Sequence, residues 1–196
     1  SEEDIDMIIC MYNEQDKEIF PFASRLKDEG RGIPFILLIH YSKAVRQRVL
    51  ESPHPGVDFV FSWHGNADLI LAIVKLLEDA ANAENDVFEV GVKGILLVED
   101  SIRYYSNYLP ELYKIVLTQS REFLTESLND DQKKYRKRSR PKIFLATCLE
   151  EAIAYFEKYR RNLLGVISDV GMVFHKGDDP KTEKLDAGID LVRMIR

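Results

Sequence analysis

Gly94-Ile95-Leu96-Leu97-Val98-Glu99-Asp100-Ser101 decides how this chain is read. Four consecutive apolar residues, bounded by a glycine and by two adjacent carboxylates, suit a short strand covered on both faces. Five further runs have the same character: Met7–Met11, Phe35–Ile39, Phe59–Ser62, Ile143–Ala146 and Gly165–Ser168. Helix-length stretches separate them, at Ile19–Glu29, Ala44–Glu51, Ala67–Ala83, Ile102–Leu128, Leu149–Arg161 and Ala187–Ile195. Regular alternation of strand and helix implies βα units, hence an α/β fold with a parallel sheet and helices on both faces.

The bulk composition agrees with a folded protein. The 196 residues are 45% hydrophobic and 31% charged, enough apolar material for a core. Lys+Arg number 27 and Asp+Glu 33, a net charge of −6. That acidity argues against nucleic acid or an anionic membrane as the main partner. Two cysteines, Cys10 and Cys148, lie in or beside apolar runs and read as free thiols of a reducing cytoplasm. No apolar run approaches the roughly 18–20 residues that span a bilayer. The acidic start Ser1-Glu2-Glu3-Asp4 lacks the pattern of a secretory signal.

A boundary is expected where polar Glu84-Asn85-Asp86 and the glycines Gly91 and Gly94 precede a fresh strand. The expected organisation is a first module over 1–86, a linker over 87–93 and a second module over 94–196. Within the second, 129–140 carries the run Lys133-Lys134-Tyr135-Arg136-Lys137-Arg138-Ser139-Arg140, which reads as a solvated loop in an otherwise acidic chain. Pro110 inside Ile102–Leu128 is expected to kink that helix.

A short internal repeat shows where chemistry is expected. Asp6–Met11 lies over Leu164–Asp169, and each copy is followed by a helix, after a longer loop in the second copy. The strand ends in Met11 in one copy and in Asp169 in the other. In an open parallel sheet, ligands collect beyond the carboxyl ends of the strands. A strand ending in Asp169 beside one ending in Glu99-Asp100 would bring three carboxylates together. Like charges that close invite a divalent cation, and oxygen ligands favour Mg²⁺. A carboxylate beside that cation is placed to take a phosphoryl group. Other constellations are thinner: His40 and His64 form at most half a metal site, and His175, Lys176, Lys181 and Lys184 sit in the long loop after Asp169. Neither a Walker-type phosphate loop nor a G-x-S-x-G motif occurs.

At these residues the chain resembles the receiver domain of two-component signalling, a flavodoxin-like α/β unit. Leu96–Ser101 resembles its first strand and acidic pair, and Val166–Asp169 its third strand and phosphoacceptor. Asp186–Arg196 resembles the helix that follows. In the first module, Ile33–Leu38 resembles the fourth strand and Val57–Ser62 the fifth. Over nearly the whole chain, Phe61–Asp68, Val98–Ser106 and Asn162–Val170 are similar to the N-terminal region of phosphoenolpyruvate synthase or pyruvate phosphate dikinase-like bacterial proteins, which carry receiver-like modules.

The resemblance implies a phosphorelay receiver with Asp169 as phosphoacceptor. Mg²⁺ would be held by Glu99, Asp100, Asp169 and the backbone carbonyl of Gly171. It implies a phosphohistidine donor, namely a histidine kinase or phosphotransfer protein, and a downstream PEP- or pyruvate-handling kinase domain of the same polypeptide as target. The chain itself would then be no stand-alone enzyme. The first module lacks the chemistry: its acceptor position is Met11, its hydroxyl position Ile39, and its lysine position falls at Trp63 and His64. It is expected to be a pseudo-receiver. The second module's hydroxyl and lysine are expected beyond Arg196, or are absent. Three late strands followed by three early ones suggest a permuted receiver or halves swapped in a homodimer. The alternative function is a non-phosphorylated docking or dimerisation module.

Overall fold

A computed structural model describes residues 5–13, 15, 18–30, 32–40, 42, 45, 49, 54–125 and 140–195. Two compact units meet in sequence between Asn66 and Ala67. The first holds β1 (Ile8–Met11), α1 (Ile19–Asp28), β2 (Phe35–Ile39) and β3 (Phe59–Ser62). The second holds α2 (Ala67–Glu84), a π-helical turn at Asn85–Glu89, β4 (Gly94–Val98), α3 (Ile102–Thr125), β5 (Lys142–Ala146), α4 (Leu149–Tyr159), β6 (Leu163–Ser168), a 3₁₀ turn at Pro180–Thr182 and α5 (Ala187–Ile195). The α/β class read from the sequence is the class observed. Each expected strand is present, and two have the expected ends. Most of the helix expected at 44–51 and the basic run at 133–139 lie outside the described residues.

In the first unit the strands pair in parallel in the order β1-β2-β3. All five residues of the central strand β2 are buried. Ile19, Ala23 and Leu26, at helical spacing, form the inner face of α1. Gly56 is needed where its turn meets that helix, because a Cβ there would collide with the backbone of Ala23. Lys27 pairs with Asp58 at 2.8 Å, and Asp58 Oδ2 accepts from the Phe35 N–H at 2.7 Å, which fixes where β2 begins.

In the second unit the parallel order is β5-β4-β6. Counted from β4 this is 2-1-3, the opening of the doubly wound flavodoxin-like order. The step from β4 to β5 runs one way and the step from β5 to β6 runs the other. Right-handed crossovers therefore place α3 and α4 on opposite faces. Leu96, Val98, Phe144 and Ala146 form one cluster with Ala152 and Tyr159 of α4 and Ala187 and Leu191 of α5. Leu97 is buried in the alternate direction, as are Ile143 and Leu145 of β5. Pro110 lies within α3 without ending it.

α2 was expected to close the first module, ahead of a linker at 87–93. It belongs to the second unit, packed on α3 and β5. A buried ionic network explains the attachment. Asp79 of α2 has no exposed surface, and its Oδ2 accepts from Tyr113 Oη (2.9 Å), Arg140 Nη1 (3.0 Å) and the Ile143 N–H (2.9 Å). Arg140 Nη2 lies 2.6 Å from Asp79 Oδ1, and Lys142 pairs with Asp86 at 2.6 Å. Residues 85–89 are thus part of the packing rather than a tether.

Removing the carboxylate would leave Arg140 buried with only the more distant Glu78, at 3.8 Å, as an acidic partner. Asp79→Ala should therefore destabilise the second unit by about 3–5 kcal/mol in a urea titration. A loss below about 1 kcal/mol would mean that the network does not hold α2 in place.

Candidate functional site

The register of β4 with β6 builds the site. Val98 pairs with Ser168, so the residues that follow, Glu99 and Asp169, leave the sheet side by side. Two ladder bonds continue past the strand ends: the Asp169 N–H donates to Val98 O at 2.9 Å, and the Glu99 N–H to Ala146 O at 3.0 Å. Glu99, Asp100 and Asp169 each present a carboxylate oxygen within 4.8 Å of the other two. Among the described residues, these three form the only group of acidic, histidine or cysteine side chains with metal-binding spacing.

The three carboxylates differ in setting. Glu99 is 4% exposed, Asp100 is half-buried and Asp169 is exposed. Glu99 Oε1 accepts from the Ser101 N–H at 3.1 Å, and Asp100 Oδ2 from the Val173 N–H at 3.2 Å. Asp169 Oδ1 accepts from the Val170 N–H at 2.6 Å. Burial pushes Glu99 up to about 7; Ser101 opposes the shift, while Asp169, Asp100 and Glu183 add to it. Burial also raises Asp100, against the Val173 bond and with Glu183 and then Asp169 as repelling charges. Two partly desolvated acids beside a third exposed one make an electron-rich oxygen donor set, which fits a hard divalent cation.

All three carboxylates expected to converge do so. Gly171 is buried two residues beyond Asp169. A side chain at 171 would collide with Glu183 Oε1, so only glycine admits the carboxylate there. Glu183 is the site residue missed from sequence. It lies in the long loop after β6, and an antiparallel bridge between Met172 and Lys184 delivers it. Spacing offered no signal for it, because the bridge is a tertiary contact.

Three of the loop's basic residues pair away from the site. His175 Nδ1 pairs with Glu150 at 3.0 Å, Lys176 with Glu151 at 3.7 Å, and Lys184 with Asp190. His64 Nε2 is engaged with Ser62 Oγ at 2.9 Å. At the carboxyl edge of the first unit, Met11, Ile39 and Ser62 bring no carboxylate. Comparisons with protein-family models, with curated proteins and with solved structures return no match. No helix among the described residues is long and apolar enough to cross a membrane.

The raised Glu99 sets a pH dependence. Its folded value, about 7, exceeds the ordinary 4.5, so the protonated form is favoured by folding. The stability from this group is complete below about 4.5 and is lost as pH rises through about 7. Glu99→Gln should stabilise the cation-free protein by roughly 1–3 kcal/mol at pH 8 and leave it unchanged near pH 4, read from denaturant titrations at both pH values. Equal effects at the two pH values would contradict the shift.

Proposed function

We propose that the second unit is a phosphorelay receiver in which Asp169 accepts a phosphoryl group beside a Mg²⁺ ion. One observation carries the reading: three carboxylates, one buried, one half-buried and one exposed, converge at the carboxyl edge of a parallel 2-1-3 sheet. Glu99, Asp100, Asp169 and the backbone carbonyl of Gly171 are the residues that would hold the ion. When bound, Mg²⁺ offsets their mutual repulsion and the charge of an incoming phosphoryl group. The remaining work falls to the chain. The Val170 N–H engages one oxygen of Asp169, and the exposed position leaves the carboxylate accessible to a donor.

In the transfer, an Asp169 oxygen attacks the phosphorus of a phosphohistidine. The P–O bond forms as the P–N bond breaks, and the nitrogen keeps the electron pair and takes a proton from water. The product is an acyl phosphate. A histidine kinase or phosphotransfer protein is the donor in this reading. The added negative charge would be the signal passed to a downstream domain, in the resemblance a PEP- or pyruvate-handling kinase. The first unit, with Met11 where an acceptor would stand, has no part in the transfer. Cys10 and Cys148 form no disulfide, in keeping with the reducing, cytoplasmic setting of this reading.

A second reading, a docking or dimerisation module without phosphorylation, is favoured by β6, which is an edge strand of its sheet among the described residues. There Leu164 is 59% exposed and Ile167 is 45% exposed, and apolar sheet edges of this kind invite pairing with another chain. The occupant would be a second copy.

Acetyl phosphate with Mg²⁺ separates the two. The first reading predicts that intact-mass measurement finds one phosphoryl group on the wild type and none on Asp169→Asn. An unmodified wild type, or equal modification of both proteins, would contradict it. For the second reading, light scattering should find a dimer that Ile167→Lys converts to a monomer.

A further inference from the structure

We propose that Glu183 reads the charge state of Asp169: negative charge added at Asp169 drives the Glu183 carboxylate off Gly171 and loosens residues 171–186 together with the start of α5. This inference rests on the reading of Asp169 as phosphoacceptor.

The placement of Glu183 is specific. Its Oε1 occupies the space that a Cβ would fill at Gly171, on the backbone two residues beyond Asp169. The backbone beside it is fixed, because its neighbour Lys184 exchanges two backbone hydrogen bonds with Met172, at 3.2 and 3.0 Å, and Met172 is fully buried. Among the described residues no lysine or arginine pairs with Glu183. Of the loop cations, Lys176 lies 3.7 Å from Glu151 and Lys184 pairs with Asp190. A carboxylate without a cationic partner therefore stands on Gly171, two residues beyond Asp169, where its charge acts on both Glu99 and Asp100. Of the charges acting on Asp100, Glu183 is the strongest that repels it.

The same segment leads into a helix. The Ala187 N–H donates to Lys184 O at 3.2 Å, and the Gly188 N–H to Val170 O at 2.8 Å. Gly188 lies so close to Asp169 O that any Cβ there would collide with it. The Asp169–Val170 backbone, the bridge and the first turn of α5 therefore form one connected piece. α5 shows Ile189, Val192 and Met194 to solvent. Displacing Glu183 changes how this apolar surface is held. Since Glu183 is exposed, the effect must weaken at high ionic strength.

Trifluoroberyllate, which binds a carboxylate in place of a phosphoryl group, is the probe. The full chain in Mg²⁺ would be followed by ¹⁹F NMR for the bound probe and by amide hydrogen exchange for the loop, in wild type and Glu183→Gln. The bound signal should appear in both proteins. Exchange at 171–186 should accelerate about three- to tenfold in the wild type and stay unchanged in the variant. A bound signal with no acceleration in the wild type, or with equal acceleration in Glu183→Gln, overturns the role of Glu183 and leaves the acceptor reading standing. No bound signal in either protein overturns the acceptor reading, and this inference with it.

Discussion

The parallel register between β4 and β6 is the constraint on which the rest of the account depends. Pairing Val98 with Ser168 leaves Glu99 and Asp169 next to one another. A one-residue slip would send each side chain to the opposite face and disperse the cluster. The register is held from below by the Leu96 and Val98 packing against α4 and α5, and from above by the Asp169 N–H on Val98 O. Apolar burial thus sets the position of groups that repel each other. The repulsion persists because the burial of α4, α5 and the sheet outweighs it, and a cation would relieve it.

The two units share a strand-helix-strand plan and differ at the edge where chemistry collects. The second places Glu99, Asp100 and Asp169 there; the first places Met11, Ile39 and Ser62. Both make hydrogen-bonded parallel sheets, so ending the strands in Met11, Ile39 and Ser62 leaves the strand pairing of the first unit intact. Architecture and site are separable, since a site is a small graft on the strand ends.

The sequence made the strands and the acidic cluster legible. β2 ends where its apolar run ends and β3 one residue beyond, at Ser62, and the carboxylates at 99, 100 and 169 are visible as strand-terminal acids. What escaped depends on long-range contacts. α2 looks from sequence like the close of the first module, because polar residues and glycines follow it. Its true attachment is Asp79, whose partners Tyr113, Arg140 and Ile143 are 34, 61 and 64 residues away. The register shift between Gly94 and Ile95 opposite β6 left no mark in the hydrophobic pattern. Glu183 was equally hidden, because it reaches Gly171 through one bridge in a loop with no periodicity.

Crystals of the protein soaked in MnCl₂ and measured at the manganese absorption edge test the central claim most directly. The account predicts one anomalous peak in contact with carboxylate oxygens of Glu99, Asp100 and Asp169, absent from crystals of Asp169→Asn. Manganese scattered over other surface acids, with none among these three, would contradict it.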